Sequence, residues 1–465
     1  MVHNLIVTGE ALVFIYSAFL FGELVIRLFR IQEESKLLRL TYALMLGYGA
    51  WGFTGLILSL LGLFSTPYLW LVALGLFVIS LKDVISHFHL FLASLRAGKW
   101  FSQFFKEHGW FKFIIAIWLI ADFIIVFVPI TGHDTLDYHL PIMKALVSEE
   151  KLVFSASDET QIPVFGEIIY SVPMQMFKET SAPFVFQLIQ FSSLPLFLCL
   201  FFGFIRRNVS RQFLSFVGVL LILSIMDFLR EVLHGGYVDV FAFIYGLGSA
   251  LLLIQSATDR TLDRSRLLLS ALFLGVALSI KYTGFIFGAI DFLILLVAFF
   301  RSRAGFSQNL RQIIIYGLVT VFIAGFWYLK NFLIFGNPIY PMFSVPEFDH
   351  AVQWFIMDRT VLNFFYFPFF RFSQWFIQDV ETSSRLIVLA YFIFSYLLFT
   401  LLAITKKIRL VEFLLFAFVE LYLAFLFISS HQYRFLLPAE IMLTPLLVIM
   451  FDNFLDYLKA KLGEK

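Results

Sequence analysis

Residues 132–141 read Gly-His-Asp-Thr-Leu-Asp-Tyr-His-Leu-Pro, and within this segment lie two carboxylates, two imidazoles and a phenol. Carboxylates and imidazoles are the side chains that enzymes use to take up and release protons, and both also bind metal ions. The segment follows an apolar stretch, residues 113–130, that is about long enough to cross the core of a bilayer. Because ionisable groups at such a boundary are costly unless they are hydrated or used, the segment is predicted to be a functional site.

Two other interpretations of this segment stay open. Asp134 and Asp137 could be ordinary solvated acids of a loop. His133, Asp134, Asp137 and His139 could also bind a divalent cation, although their spacing matches no zinc motif. No metal site is therefore predicted, and a divalent cation is the one cofactor left open.

The composition of the chain indicates which kind of secondary structure must position the ionisable groups of residues 132–141. Of the 465 residues, 60% are hydrophobic and 14% are charged. A soluble domain carries about 25% charged residues, so this chain has too little polar surface to be one. It is predicted to be an all-α, polytopic membrane protein whose partners include the lipid bilayer and no nucleic acid. About thirteen spans are expected, at residues 5–26, 40–64, 68–86, 113–130, 183–205, 212–229, 237–256, 267–280, 284–300, 312–332, 386–404, 411–429 and 435–451.

The basic residues orient these spans. One side of the predicted membrane carries 24 of the 34 Lys and Arg, so that side should be cytoplasmic, with the amino terminus outside and the carboxyl terminus inside. Two long loops, 131–182 and 333–385, then lie outside and should hold short interfacial helices. A three-span segment with its basic cytoplasmic loop (1–109) precedes a predicted catalytic core (110–465).

Three segments of the sequence determine how the predicted site is positioned. Pro141 disfavours helical geometry at the residue before it, which predicts an irregular acidic turn followed by an amphipathic helix over 141–150. Lys281-Tyr-Thr-Gly divides 267–300 into two short helices with an outer turn. The apolar segment 361–376 contains Pro368 and Arg371 and is interpreted as interfacial or re-entrant.

The acidic segment Asp134-Thr-Leu-Asp-Tyr-His-Leu-Pro141 resembles the signature that follows the first core span of the GT-C glycosyltransferases, which use lipid-linked sugars. The likeness is to polytopic bacterial members of the protein mannosyltransferase and lipid A aminoarabinose transferase type, in which an acid stands four residues before a tyrosine. Five further segments are similar to motifs of these enzymes: Pro163–Tyr170, Gly235–Asp239, Ser279–Thr283, Trp327–Pro341 and Tyr433–Pro438.

The resemblance implies a membrane glycosyltransferase of the cell envelope, with its active site on the outer, periplasmic face of the cytoplasmic (inner) membrane. It would move a hexosyl or pentosyl group from a polyprenyl-phosphate-linked donor to a glycolipid, glycan or protein acceptor. Asp134 matches the catalytic carboxylate of the family, but many members have two adjacent acids where this chain has Asp137 second, so either could be the base. The implied donor-phosphate contacts are Lys281, Tyr282, Lys330 and Arg434, and the implied substrate contacts are Tyr138, His139, Glu167, Asp239 and His431.

Other functions and roles stay open. A polysaccharide polymerase or ligase would share the donor and the membrane face, and a lipid-linked sugar transporter (flippase) would need a polar path through the membrane. The basic residues at outer helix ends could be snorkelling anchors. The acids inside predicted spans could form a proton relay, although pairing with a neighbouring helix or a position near the membrane interface is favoured: Glu10, Glu23, Asp122, Asp291 and Glu420.

Overall fold

The computed structural model describes residues 2–97, 108–152, 154, 161–178, 182–225, 236–344, 358–364, 366–367, 382–430 and 433–463. These ranges form helices and connecting turns, with no strand among them. The helices are α1 (Val2–Phe29), α2 (Lys36–Leu60), α3 (Thr66–Ile79), α4 (Leu81–Ala97), α5 (Gly109–Ile125), a π-helical turn (Thr135–His139), α6 (Leu140–Glu149), α7 (Phe165–Met176), α8 (Ala182–Asn208), α9 (Phe213–Leu223), α10 (Asp239–Asp259), α11 (Arg264–Ile280), α12 (Gly284–Arg301), α13 (Phe306–Phe335), α14 (Thr382–Ile404), α15 (Leu410–Ser429), a 3₁₀ turn (Tyr433–Leu436) and α16 (Leu437–Leu462).

Many of these helices have the length and surface of membrane spans. Nine of the described helices are long and apolar enough to cross a bilayer, and the bent pair α3–α4 would make ten. On α13, for example, Leu318, Val321 and Phe322 are 65%, 65% and 82% exposed. Such apolar surface belongs in lipid and not in water. The nine are α1, α2, α8, α10, α12, α13, α14, α15 and α16 with its preceding 3₁₀ turn.

The count of about thirteen spans is not confirmed, because four predicted segments form helices that are short or bent. Residues 68–86 bend by 70° between α3 and α4. Residues 113–130, 212–229 and 267–280 contain helices of 17, 11 and 17 residues, and 226–229 lie outside the described residues. About 20 helical residues are needed to cross a 30 Å core. Hydropathy counts apolar residues but does not detect where the backbone turns.

The loops follow the predictions in part. α11 ends at Ile280 and α12 begins at Gly284, so the expected break at Lys281–Thr283 is present. α6 (Leu140–Glu149) matches the predicted helix at 141–150 to within one residue at each end. In the second long loop, 345–357 and 368–381 lie outside the described residues, as does most of the segment 361–376.

By its contacts the chain divides into two units, whereas the predicted boundary at residue 109 stays a prediction. The first unit contains Met1–Cys199, Glu231–Ile244 and Ser279–Lys281; the second contains Leu200–Arg230, Tyr245–Leu278 and Tyr282–Lys465. In the first unit α1 packs along α2, and Arg39 of α2 binds Glu23 of α1 through two hydrogen bonds of 2.7 and 3.1 Å. This pairing confirms the neighbouring-helix interpretation for Glu23.

The short helix α7 is the centre of the first unit. All twelve of its residues are buried, against α2, α3 and α6. Gly52 and Gly55 of α2 leave room for it, since a Cβ on Gly52 would lie 2.7 Å from the ring of Phe165, and one on Gly55 2.8 Å from Ile168. α7 is therefore a rigid platform, and any side chain that it carries has a fixed position.

In the second unit the long helix α16 packs against α9, α14 and α15. Its buried Asp452 binds the Arg211 guanidinium at 2.5 Å and the Ser210 backbone N–H at 2.6 Å. Glu420 of α15 accepts a hydrogen bond from Tyr396 of α14. These bonds tie helices together, as expected for acids inside or beside spans.

Candidate functional site

The acidic segment is helical, which corrects the prediction of an irregular turn. Thr135–His139 form one π-helical turn in which the Leu140 N–H bonds to the Thr135 carbonyl, five residues back, and Leu140 has helical dihedral angles. In a regular α-helix the ring of Pro141 would clash with the carbonyl four residues earlier. The wider π turn accommodates the proline without ending the helix, and such turns are frequent at functional sites.

Asp134 precedes the π turn and differs from Asp137 in its surroundings. The Asp134 side chain is 24% exposed; its carboxylate accepts a hydrogen bond from the Tyr138 hydroxyl at 3.4 Å and lies 3.7 Å from Nδ1 of His133. Asp137 is exposed. Asp134 is thus held by neighbours and still reachable, which are the two properties that a general base needs.

His139 is buried and paired with a side chain 28 residues away. Its Nδ1 lies 2.6 Å from Oε1 of Glu167 on α7, and both side chains are 1% exposed. The ring also lies 4.1 Å from that of Tyr138, centroid to centroid. His139 and Glu167 were both predicted to contact substrate, and in the structure they contact each other inside the first unit.

The residues before α10 pack directly on the π turn. Gly236 has a φ of +67°, and a Cβ there would lie 2.5 Å from the methyl group of Thr135, which is fully buried. A glycine is required on both counts. The carbonyl of Tyr237, the next residue, accepts a 3.5 Å hydrogen bond from the hydroxyl of Tyr170 on α7. Burial raises the pKa of the Tyr170 hydroxyl.

Asp239 and Lys281 form a second internal pair. The Lys281 ammonium donates to the Asp239 carboxylate at 2.8 Å, with side-chain exposures of 12% and 1%. Asp239 is the first residue of α10, and Lys281 follows the last residue of α11. Gly166 of α7 contacts both segments, because a Cβ there would lie 2.7 Å from Val238 and 3.1 Å from Ile280.

Four separate segments therefore meet in the first unit: the acidic turn, the start of α7, residues 236–239 and the end of α11. We call this the acidic-turn site, made of Asp134, Asp137, Tyr138, His139, Glu167, Asp239 and Lys281. It carries four carboxylates and one lysine, so a positively charged group in or near it would be stabilised. Thr135, Tyr170, Gly236 and Tyr237 all lie in segments that resemble GT-C motifs, but none of them was predicted as a site residue; the paired glycines 235 and 236 were a signal for close packing.

The remaining predicted site residues belong to the second unit. The Tyr282 hydroxyl donates to the Tyr340 carbonyl at 2.5 Å and accepts from Asn331 at 3.0 Å; its burial raises the phenol pKa. Lys330 is 8% exposed, with its ammonium 5.6 Å from the centroid of Trp327. The guanidinium of Arg434 lies over the ring of Phe435 at 5.2 Å. His431 lies outside the described residues.

The structure does not bring the potential metal ligands His133, Asp134, Asp137 and His139 together around one point. Among the residues that the structure describes, no group of three or more His, Cys, Asp and Glu side chains is arranged to hold a metal ion. The reason is visible at His139, whose Nδ1 faces Glu167 while its turn neighbours Asp134 and Asp137 are more exposed.

The nine candidate spans among the described residues and the convergent polar groups define a multi-spanning helical membrane protein with a cluster of four carboxylates, of which Glu167 and Asp239 are buried. The chain belongs to the family of the domain of unknown function DUF8201, whose model matches residues 179–440, just over half of its length. Asp239, Lys281, Lys330 and Arg434 fall within that match, whereas the acidic turn and Glu167 precede it. No curated protein is significantly similar to the chain. No solved structure is significantly similar to it either.

Proposed function

We propose that the protein is an inverting membrane glycosyltransferase of GT-C type that uses a polyprenyl-phosphate-linked sugar. The observation that carries the proposal is the acidic-turn site. Four of the segments that resemble GT-C motifs meet there, although they are spread over residues 134–281. If the similarities had arisen by chance, there would be no reason for these segments to contact one another.

The chemistry requires few groups. The acceptor hydroxyl is a poor nucleophile, so a carboxylate takes its proton while the hydroxyl oxygen attacks the anomeric carbon. The bond from that carbon to the phosphate oxygen breaks at the same time, and the polyprenyl phosphate leaves with the electron pair. One such displacement inverts the anomeric configuration. Its oxocarbenium-like transition state is cationic, which the carboxylates of the acidic-turn site would stabilise.

Asp134 is the base that the surroundings favour. It is partly shielded and held by Tyr138, whereas Asp137 is exposed. Asp137 and Tyr138 are proposed to contact the sugar or the acceptor. No step is assigned to a metal ion, since the described carboxylates and imidazoles are not grouped for one.

The leaving phosphate needs cations and no general acid. Lys281 is already at the site, and a phosphate would compete with Asp239 for its ammonium. Lys330, Arg434 and Tyr282 are proposed as donor contacts by the resemblance alone, as are Asp239 and His431 as substrate contacts. Arg434 would bind phosphate through two parallel hydrogen bonds, which a lysine cannot make.

The proposed reaction takes place on the outer face of the cytoplasmic membrane. The distribution of basic residues supports this orientation and the full count of about thirteen spans, with both long loops outside. The alternative function, a lipid-linked sugar transporter, would need acidic side chains within the spans to form a polar path through the membrane. One of these, Asp291, is fully buried and accepts hydrogen bonds from Ser249 at 2.5 Å and Tyr316 at 3.4 Å. Such local bonding is that of a structural cluster.

Glycolipid and surface-glycan profiling of a deletion strain tests the proposal. The strain should lose a glycosylated product and accumulate its polyprenyl-phosphate sugar; wild-type protein should restore the product. Asp134→Asn should reduce the rate about a hundredfold or more, the scale of a lost general base, with a much smaller loss for Asp137→Asn. Glu149→Gln, an exposed carboxylate at the end of the adjoining α6, is the matched control and should be active.

Each contrary outcome is informative. Full activity of Asp134→Asn would exclude it as the base, and a dead Asp137→Asn beside it would exchange the two roles. A deletion strain with unchanged glycans would contradict the glycosyltransferase proposal. Accumulation of the donor on the cytoplasmic side alone would instead indicate a transporter.

A further inference from the structure

We infer that His139 and Glu167 are positioning residues that fix the acidic turn, and not substrate-binding residues. The activity test of this inference rests on the proposed function. The contact by which His139 and Glu167 hold the turn, which we call the clamp, is a property of the fold. It starts from the 2.6 Å contact between Nδ1 of His139 and Oε1 of Glu167, with both side chains 1% exposed.

The pair fixes the orientation of the histidine ring, because Glu167 is held on the buried α7. With Glu167 ionised, the carboxylate can only accept and Nδ1 is the donor. Within the described residues, the remaining atoms of the pair, Nε2 of His139 and Oε2 of Glu167, have no hydrogen-bond partner. A buried pair so incompletely satisfied stabilises a protein little compared with apolar side chains of the same size. Its presence therefore calls for a role other than stability.

The location of the pair supplies that role. His139 is the last residue of the π turn, and Glu167 belongs to the fully buried α7. At the other end of the turn, Thr135 is fully buried against Gly236. The turn is thus held at its first and fifth residues, while Leu136, Asp137 and Tyr138 between them are exposed or partly exposed.

Clamping both ends fixes the direction of the groups between and beside them. Asp134 immediately precedes the clamped Thr135, and its partner Tyr138 immediately precedes the clamped His139. A displacement of about 1 Å in a reacting group can cost about a hundredfold in rate. Loss of the His139–Glu167 contact should therefore slow transfer without removing any group that touches the substrate.

Stability and positioning can be separated with three variants. His139→Leu and Glu167→Met each leave one polar partner buried alone and should lower the thermal stability and the rate of product formation. The double variant replaces both partners by apolar residues of similar volume and should regain most of the stability. Its rate should still be about 10- to 100-fold below wild type, because the turn has lost its fixed orientation.

Two further measurements complete the experiment. Binding of undecaprenyl phosphate to the purified protein should be unchanged in all three variants, since neither residue touches the donor. Backbone amide hydrogen exchange over residues 135–140 should be faster in the double variant than in wild type. Glu149→Gln should match wild type in every measurement.

Three outcomes would overturn the inference. The first is recovery of the rate together with stability in the double variant, and the second is unchanged exchange in the turn. The third is weakened undecaprenyl phosphate binding, which would return the pair to a substrate-binding role. If wild-type protein transfers no sugar at all, the proposed function fails, while the exchange comparison still decides whether the pair clamps the turn.

Discussion

Gly236→Ala tests how tightly the acidic turn is packed. Alanine at a φ of +67° costs about 1–2 kcal/mol, because its Cβ approaches the backbone carbonyl in the left-handed region. The new Cβ would also lie 2.5 Å from the methyl group of Thr135, well inside van der Waals contact. Overpacking of this kind costs about 1–3 kcal/mol more. The expected destabilisation is therefore about 2–5 kcal/mol.

The chain offers a matched control for the backbone contribution. Gly62, in the same unit, has a φ of +69°, and a Cβ there would meet nothing within 4 Å. Gly62→Ala should therefore cost only the conformational part, about 1–2 kcal/mol. A third variant, Gly236→Ala with Thr135→Ser, removes the methyl group in closest contact and should recover part of the difference.

Thermal unfolding in detergent, followed by tryptophan fluorescence, measures these effects. The midpoint should fall about twice as far for Gly236→Ala as for Gly62→Ala, with the Thr135→Ser combination in between. Equal shifts for the two glycine variants would refute the close contact between Gly236 and the turn. In the proposed transfer reaction, product formation by Gly236→Ala should also fall at temperatures below the midpoint, because the turn beside Asp134, the proposed base, is displaced.

Three other predictions follow from the charged groups. Lys281→Met should destabilise the protein by about 3 kcal/mol, since it leaves the Asp239 carboxylate in place without the ammonium; adding Asp239→Leu should restore the melting midpoint, and no recovery would contradict the pairing. In a cysteine-free background, cysteines at Ser148 and Ser344 should react with an impermeant thiol reagent in intact cells, whereas labelling only after permeabilisation would reverse the topology. Undecaprenyl phosphate affinity should fall from wild type to Arg434→Lys to Arg434→Ala if the arginine binds phosphate bidentately, whereas full substitution by Lys would indicate a snorkelling anchor.

Much of the architecture could be predicted because it depends on local composition. Apolar runs of about 20 residues located the nine long helices, and Lys281-Tyr-Thr-Gly located the break between α11 and α12. The acidic segment stood out because it places two carboxylates, two imidazoles and a phenol directly after a predicted span. These signals need only the residues in one stretch of chain.

The arrangement of the site depends on contacts that no local pattern encodes. Glu167 lies in an otherwise apolar stretch, and nothing near it in sequence indicates that His139 is its partner. The pairing depends on α7 being buried, which in turn depends on Gly52 and Gly55, more than a hundred residues earlier. The π turn was missed for a related reason: Pro141 disfavours a regular helix, and only a wider turn resolves that conflict.

The burial of α7 has a consequence for the biogenesis of the protein. Twelve residues are too few to cross a bilayer, and a stretch containing Glu167 and Gln175 is a poor substrate for insertion as a span. α7 can be buried only once α2 is in the membrane and offers the space beside Gly52 and Gly55, in the second, packing stage of membrane protein assembly. The acidic turn bound to α7 would then acquire its final shape late. A protein arrested before that stage would contain its spans but no organised acidic turn, so the correct number of inserted helices is not sufficient for the proposed activity.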